Sequence, residues 1–546
     1  MTLPASPATA DLISWWGRVT PSRVAIVDRT RDARYTYSEL DAGAERWARA
    51  LVTLDVQPGD RVATLTGNRV DVIALFFGAM RMGAVLVPLN WRLAALELGR
   101  VVADARPSLV VGEARFRALA EDTERGAGVP LRWIDLDAEV PALLAASEGT
   151  SVARQRSEPD AAAMLLYTSG STGKPKGAIL PHRQLFYNAL ATTIGWQIGA
   201  DDIAMVATPF FHTGGWHVFS TPLWHRGGTL VLFDQFEPTA FLDALAEERV
   251  TLAFSVPTQI VMLTGSPSWG RELPALRFLI SGGAPCPQAL GERVRAAGIR
   301  FREGYGLTEC GPNCFAITDE EALRRPGAVG WPVPFLEMML GRGDWSRERG
   351  TGNSGPGTGS RGEPAAGGQM GTDEPGELLL RGPQMFAGYF NDPERTAEAI
   401  DSDGWLHTGD LAMRDADGAY RICGRKKDMF ISGGENVFPG EVEAALADCP
   451  GVGEAVVVGM PDEKWGEVGR AFVVCRRGET VTVADIVVHA RRRLAGYKVP
   501  KSVVLVDDLP RLGSGKPDRR ALAARIAAEA GRDAGRESPA GARTSP

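Results

Sequence analysis

The sequence predicts an α/β chain: a large N-terminal domain of sheets layered with helices, then a smaller α+β domain. Three observations carry that expectation. At 546 residues and 44% hydrophobic composition, the chain exceeds what one core usually holds. Helix-like and strand-like segments alternate from Ser38 onward, with strand candidates as far as Ile280, and a fresh run of short elements begins after Gly424.

From Ser38 to Leu54 the apolar residues Leu40, Ala44, Trp47, Leu51 and Leu54 recur at helical spacing, which predicts a helix with one buried face, Ser38 being placed to cap its start. Arg61 to Leu65 then reads as a strand, Val70 to Met82 as a helix and Ala84 to Leu89 as a strand. A helix at Glu97 to Ala105 and a strand at Ser108 to Val111 repeat the order. Such alternation predicts βαβ units and a mainly parallel sheet covered by helices. Ala163 to Leu166, Thr229 to Phe233, Thr251 to Ser255 and Arg277 to Ile280 read as further buried strands, each followed by Gly, Pro or Ser. Loops beyond the carboxyl ends of such strands form the ligand crevice, so polar chemistry is expected there.

Between Gly341 and Pro375 the composition turns to Gly, Ser, Glu and Arg with almost no apolar residue, which predicts a disordered surface insert. The small domain is expected to hold a helix near Glu441 to Ala447, strands at Ala455 to Val458 and Ala471 to Val474, a helix at Val483 to Leu494 and a strand at Ser502 to Val506. The boundaries read as 1–424 for the large domain, 425–520 for the small one and 521–546 for a fraying helix and flexible tail.

Composition also excludes functions. With 60 basic against 67 acidic residues and a net charge of -7, no excess of cations is available to neutralise a nucleic acid. The six cysteines show no C-x-x-C pair and no clustered histidines, so neither a disulfide framework nor a structural zinc site is indicated. No uncharged apolar run reaches spanning length and the N-terminus lacks a signal-like pattern, so the chain reads as soluble and cytoplasmic. Its oligomeric state is left open, a homodimer included.

The densest chemical signal is Tyr167-Thr-Ser-Gly-Ser-Thr-Gly-Lys-Pro-Lys-Gly177, which sets three glycines, four hydroxyls and two lysines in eleven residues. Glycines let backbone N–H groups approach an anion, hydroxyls add donors and lysines add charge, so the loop suits a polyphosphate. The Walker pattern is absent: Thr168 stands where it needs glycine, and Pro175 where it needs Ser or Thr. The whole string resembles the signature of the adenylate-forming superfamily, which includes acyl-CoA synthetases, adenylation domains and beetle luciferases. Ser281-Gly-Gly-Ala-Pro285, Tyr305-Gly-Leu-Thr-Glu309, Gly388-Tyr389, His407-Thr-Gly-Asp410, Gly424-Arg-Lys-Lys-Asp428, Ser432-Gly-Gly-Glu-Asn436 and Ser514-Gly-Lys516 follow in the order that family places its motifs. The resemblance runs from about Ala10 to Arg520, and it implies the adenylate-forming fold with a mobile small domain.

It also implies roles for residues that taken singly have ordinary readings. Ser169, Gly170, Ser171, Thr172, Gly173, Lys174 and Lys176 would hold the leaving pyrophosphate, Thr308 would meet the α-phosphate, and Thr168 and Glu309 would hold Mg²⁺. Tyr305 would lie on the adenine with Gly306 beside it, and Gly283, Ala284 and Pro285 would form the opposite wall. Asp410 and Arg425 would take the ribose, and Lys516 would reach the carboxylate and α-phosphate. His212 and Trp216, with Ser281, Gly282 and Gly304, match the acyl pocket, Trp216 resembling the aromatic gate of fatty acyl-CoA synthetases. Lys427 occupies the hinge position, about which rotation would bring Gly433 and Gly434 to a pantetheine tunnel. Alone, a Thr-Glu pair is a cap or turn, Tyr305 and Trp216 are core rings, Asp410 is a turn aspartate and Lys516 a solvated loop lysine; Gly433-Gly434 is a tight turn. Leu512-Gly513-Ser514 and Pro517 depart from the family's usual residues, which touches loop packing more than the amine.

The implied function is an ATP-dependent acyl-CoA ligase that forms an acyl-adenylate and passes the acyl group to CoA, with ATP, Mg²⁺ and CoA required. Apolar residues around Phe210 to Trp216 favour a hydrophobic acid, fatty or aromatic. Two alternatives are an adenylating enzyme that serves a carrier protein or another nucleophile, and a catalytically silent nucleotide-binding protein. No carrier domain follows Lys516, so a carrier protein is not indicated. Deleting most of the segment from Gly341 to Thr372 is expected to leave activity and melting temperature nearly unchanged, since loop closure depends weakly on length. A fall of many degrees in a thermal melt would show that the segment is packed.

Overall fold

The computed structural model describes residues 11–155, 158–168, 175–341, 374–433, 435–462, 464–512 and 515–534. The phosphate loop from Ser169 to Lys174, residues 342–373 of the insert, Gly434, Ser514 and the tail from residue 535 lie outside the described residues.

Two sheets dominate the large domain. The first has six strands in the order Trp133–Asp135, Leu109–Gly112, Arg61–Leu65, Val85–Pro88, Ala162–Thr168 and Lys176–Pro181. All its pairs are parallel except the last, whose two antiparallel strands flank the phosphate-loop sequence. The second has seven strands in the order Phe301–Glu303, Phe278–Ser281, Leu252–Ser255, Ile203–Val206, Thr229–Leu232, Val24–Asp28 and Ala33–Thr36, parallel up to its antiparallel edge. Leu86 and Met164 of one sheet and Leu230, Leu252 and Ile280 of the other share a single core with helices Tyr37–Thr53 and Val70–Met82. Helix Val70–Met82 is buried almost all round, as a helix between two layers must be.

The first long helix follows the expected apolar stripe, with Leu40, Ala44, Trp47 and Leu51 buried. Its cap is not Ser38. Thr36 accepts from Glu39 N while the Glu39 carboxylate accepts from Thr36 N, a reciprocal pair that starts the helix at Tyr37.

An unforeseen third sheet is fully antiparallel: Glu337–Gly341, Gly376–Arg381, Leu406–Arg414 and Tyr420–Arg425. Gly341, read from composition as insert, ends its first strand opposite Glu377. The small domain has strands Glu435–Val437, Phe430–Ser432, Gly466–Cys475 and Val452–Asp462, with Ser502–Leu505 parallel to Gly466–Cys475. Its expected helices are Pro439–Ala447 and Val483–Arg493.

The stretch after residue 520, read as a fraying helix and tail, holds a helix that is docked. Arg519–Ala534 is helical, and Leu522 and Ile526 are buried against Val456, Phe472 and Leu509. Alanine- and arginine-rich composition hid this, because two apolar residues at i and i+4 suffice to dock a helix on a sheet. Among the described residues no helix is long and apolar enough to cross a membrane. All six cysteines are free. Leu522→Ala is expected to lose about 2–4 kcal/mol from the small domain in denaturant unfolding, the usual range for a buried leucine.

Candidate active site

Four neighbouring strands of the seven-stranded sheet, Phe301–Glu303, Phe278–Ser281, Leu252–Ser255 and Ile203–Val206, send their carboxyl-end loops into one crevice. From the first comes Tyr305 to Glu309, from the second Gly282 to Pro285, and from the fourth His212. Gly283, Ala284 and Pro285 form an exposed wall, while Ser281 and Gly282 are buried. Phe254, at the third strand, is half-buried, and a side chain added at Gly214 or Gly282 would meet its ring at 3.2 and 3.3 Å. Glycine on both sides thus leaves the ring room that a Cβ would tighten.

Asp410 comes from the antiparallel sheet, where its strand partner is Arg425. The Arg425 Nε forms an ion pair with Asp410 Oδ1 at 2.6 Å, and the Tyr305 hydroxyl donates to Oδ2 at 2.5 Å. Burial raises the Asp410 carboxyl and Arg425 opposes that, while Tyr305 is pushed up by burial and then by the Asp410 charge. Lys516, from the small domain, lies within electrostatic reach of both: burial lowers its ammonium, Arg425 lowers it further and Asp410 raises it. Lys516 is solvent-accessible by area yet surrounded by protein, the signature of a group in a cleft wall. His212 completes this side. Burial drives it down to about 4, with Arg92 and Lys516 adding to the effect, so it is neutral at pH 7.

Glu309 stands in the short 3-10 turn Thr308–Cys310, and its Oε1 accepts from the Tyr389 hydroxyl at 2.7 Å. Lys176 lies across the hairpin from Thr168 and has Glu309 in electrostatic range, although burial first and then Arg395 and Lys427 lower it. Lys427 lies in the single turn Lys426–Asp428, between the last strand of the antiparallel sheet and Phe430–Ser432 of the small sheet.

Two expected residues have a plain structural cause. Trp216 is fully buried, stacks on Phe210 at 4.4 Å and donates from Nε1 to Phe210 O at 2.6 Å. It sits in the core, so a gate there would have to break that bond and that stack. Gly433 turns the hairpin of Ser432 and Glu435 at φ 62°, and the Trp465 ring would lie 2.8 Å from any Cβ at this position.

Sequence reasoning missed Phe254, Glu303, Arg92, Gln184 and Gln384, and read Tyr389 only as part of a Gly-Tyr motif. None has a local signal: Arg92, for instance, acts on His212 electrostatically from a loop of the other sheet, its guanidinium 5.1 Å from the Trp91 ring and 5.6 Å from the Phe211 ring.

The residues of this crevice and the order of their motifs match known proteins. The model of the family described as AMP-binding enzyme matches residues 13–390, and that of the AMP-binding enzyme C-terminal domain matches residues 441–516. A feruloyl-CoA synthase of an Amycolatopsis species is 38% identical over 502 residues, covering 91% of this chain and 95% of that protein. An indoleacetate–CoA ligase of Aromatoleum aromaticum is 36% identical over 532 residues, covering 94% and 98%. The crystal structure of ATP-bound MatB from Rhodopseudomonas palustris superimposes with a TM-score of 0.81 at 31% identity, covering 95% of this chain and 98% of that one. The chain belongs to the AMP-binding enzyme family.

Glu303, at the end of its strand beside Tyr305, gives a pH-dependent prediction. Burial raises its carboxyl from 4.5 to about 7, against the pull of Arg421 and Arg295. A raised carboxyl contributes stability that is fully present below 4.5 and lost as pH rises through 7, so Glu303→Gln should gain on the wild type across that window by up to about 3 kcal/mol. Denaturant unfolding of both proteins at pH 5 and pH 8 measures it. An unchanged difference would show that Glu303 ionises freely in the folded protein.

Proposed function

We propose that this chain is an acyl-CoA ligase that joins a hydrophobic carboxylic acid, aromatic in the first instance, to coenzyme A at the expense of ATP. A carboxylate oxygen attacks the α-phosphorus and pyrophosphate leaves; the CoA thiol then attacks the acyl-adenylate carbonyl and AMP leaves. The observation that carries the reading is the convergence of Lys516 with Asp410, Arg425 and His212 in a chain of this family. The aromatic preference is supported by Phe254 in the crevice and by two relatives named for feruloyl and indoleacetyl substrates.

In the first half-reaction two anions must meet, and the residues act by position and charge. Lys516 bridges carboxylate and α-phosphate, Asp410 accepts from the ribose hydroxyls, and Tyr305 covers the adenine against the wall of Gly283 to Pro285. Neutral His212 borders the reacting carboxylate without adding a charge. The Thr168 hydroxyl and Glu309 carboxylate suit a hard divalent ion, because both are oxygen donors and no described cation lies within ion-pairing distance of Glu309. Magnesium bound there would offset the phosphate charge.

For the second half-reaction the small domain, beginning near Arg425, turns about Lys427, withdraws Lys516 and presents Gly433 to the incoming thiol. A cytoplasmic location fits these co-substrates, and a homodimer is a matter for sedimentation. Pyrophosphate release measured across cinnamic, arylacetic, benzoic and fatty acids tests the substrate class. Rates confined to polar amino acids would overturn it.

Lys516→Ala is expected to lose acid-dependent pyrophosphate release by about two orders of magnitude or more, the usual effect of deleting one preorganised charge contact. Supplied with synthetic acyl-adenylate, it should still form acyl-CoA near the wild-type rate. Lys427→Pro, which locks a hinge dihedral, should spare adenylation and slow thioester formation. Equal loss of both half-reactions in both variants would sink the two-conformation mechanism.

A further inference from the structure

Glu309 is held by four restraints. Gln184 Nε2 donates to Thr308 O at 2.9 Å, Phe386 N to Glu309 O at 2.8 Å, and Gln384 Nε2 to Cys310 O at 2.9 Å, so three consecutive carbonyls accept from two distant segments, one at Gln184 and the other at residues 384–386. Both glutamines are buried, and the side-chain oxygen of each has no partner among the described residues. A buried, half-satisfied amide is costly, and here its one bond goes to the turn that carries the carboxylate.

The fourth restraint is on the side chain itself. Tyr389 donates to Oε1, while Oε2 has no partner among the described residues. Tyr389 is in turn fixed through its backbone, because residues 387–390 pair along the strand Lys176–Pro181: Ala387 N donates to Ile179 O at 2.9 Å, Ile179 N to Gly388 O at 3.0 Å and Phe390 N to Gly177 O at 2.7 Å. Tyr389 N donates to Thr396 Oγ1 at 2.8 Å, and Gly388, at φ 127°, has no room for a Cβ beside that threonine. The ring is 8% exposed, lies 4.9 Å from the Phe386 ring, and has the Lys176 ammonium 5.1 Å from its centroid. One side chain thus touches a carboxylate with its edge and a cation with its face.

We propose that Tyr389 is a positioning residue for adenylation: its hydroxyl fixes Oε1 of Glu309 so that Oε2 is presented to magnesium, and its ring holds Lys176 beside the phosphates. The proposal rests on the acyl-CoA ligase reading. A phenol suits the task because it is a neutral donor. It stops rotation of the carboxylate without cancelling the charge that a metal needs, whereas an ammonium in the same place would pair with it. The ring face attracts Lys176 by its quadrupole and so gives that cation a seat other than Glu309 itself.

Tyr389→Phe keeps the ring and removes only the hydroxyl. In the full-length enzyme with a non-hydrolysable ATP analogue, Mn²⁺ affinity read by electron paramagnetic resonance of the free ion is expected to fall about tenfold to a hundredfold, the usual effect of losing an outer-shell partner. The metal concentration for half-maximal pyrophosphate release should rise by a similar factor, with kcat restored at saturating metal, and synthetic acyl-adenylate should be converted to acyl-CoA at the wild-type rate. In a Glu309→Gln background the Tyr389→Phe effect should vanish, since the tyrosine acts through that carboxylate. Unchanged Mn²⁺ affinity, or the same loss in both backgrounds, overturns the proposal. Absence of acyl-CoA with every acid would instead sink the ligase reading, and the metal titration would remain readable.

Discussion

The site depends on a buried carboxylate that cannot stand alone. Asp410 is 5% exposed, and an unpaired charge at that depth would cost several kcal/mol or give way to protonation. Its two oxygens therefore recruit Arg425 from the adjoining strand and Tyr305 from the end of the seven-stranded sheet. That single requirement ties the antiparallel sheet to the crevice of the parallel sheet at one point. Lys516 arrives at the same point from the far end of the chain, where Asp410 favours its charge and Arg425 opposes it.

A second carboxylate shows the same logic with different partners. Glu309 has no described cation at ion-pairing distance and is held by a phenol and by restraints on its turn. Asp410 is satisfied by the protein, whereas Glu309 is oriented but keeps an open oxygen. Two acids in one crevice thus differ in what they are left free to bind, and the difference comes from whether a neutral or a charged donor meets them. In the mechanism proposed for the acyl-CoA ligase activity, Asp410 would offer its remaining lone pairs to the nucleoside and Glu309 its open oxygen to the metal–phosphate side.

Much of this was legible in the residue pattern. Arg61–Leu65 and Val70–Met82 fall where apolar periodicity places them, because a buried strand and a helix between two layers have nearly continuous apolar sequence. The antiparallel sheet was not legible: its first two strands pair across the 34 residues between Gly341 and Gly376, and register across such a gap is not a local property. The docking of helix Arg519–Ala534 was not legible, although a helix there was, because its two buried side chains, Leu522 and Ile526, are few among alanines and arginines.

The sequence by itself determined the chemistry available, since the phosphate-loop composition, the Tyr305 to Glu309 string, Asp410, Arg425 and Lys516 are contiguous or ordered features that need no folding to be read. Tertiary structure alone decided which groups meet. Tyr305 and Asp410 are 105 residues apart, and Tyr389 and Glu309 are 80. It also decided that Trp216 is a core ring, because burial and a hydrogen bond to Phe210 O are properties of packing and not of spacing. A motif names a side chain, but its pKa, its partner and the face it presents are set by neighbours that the chain brings from a distance.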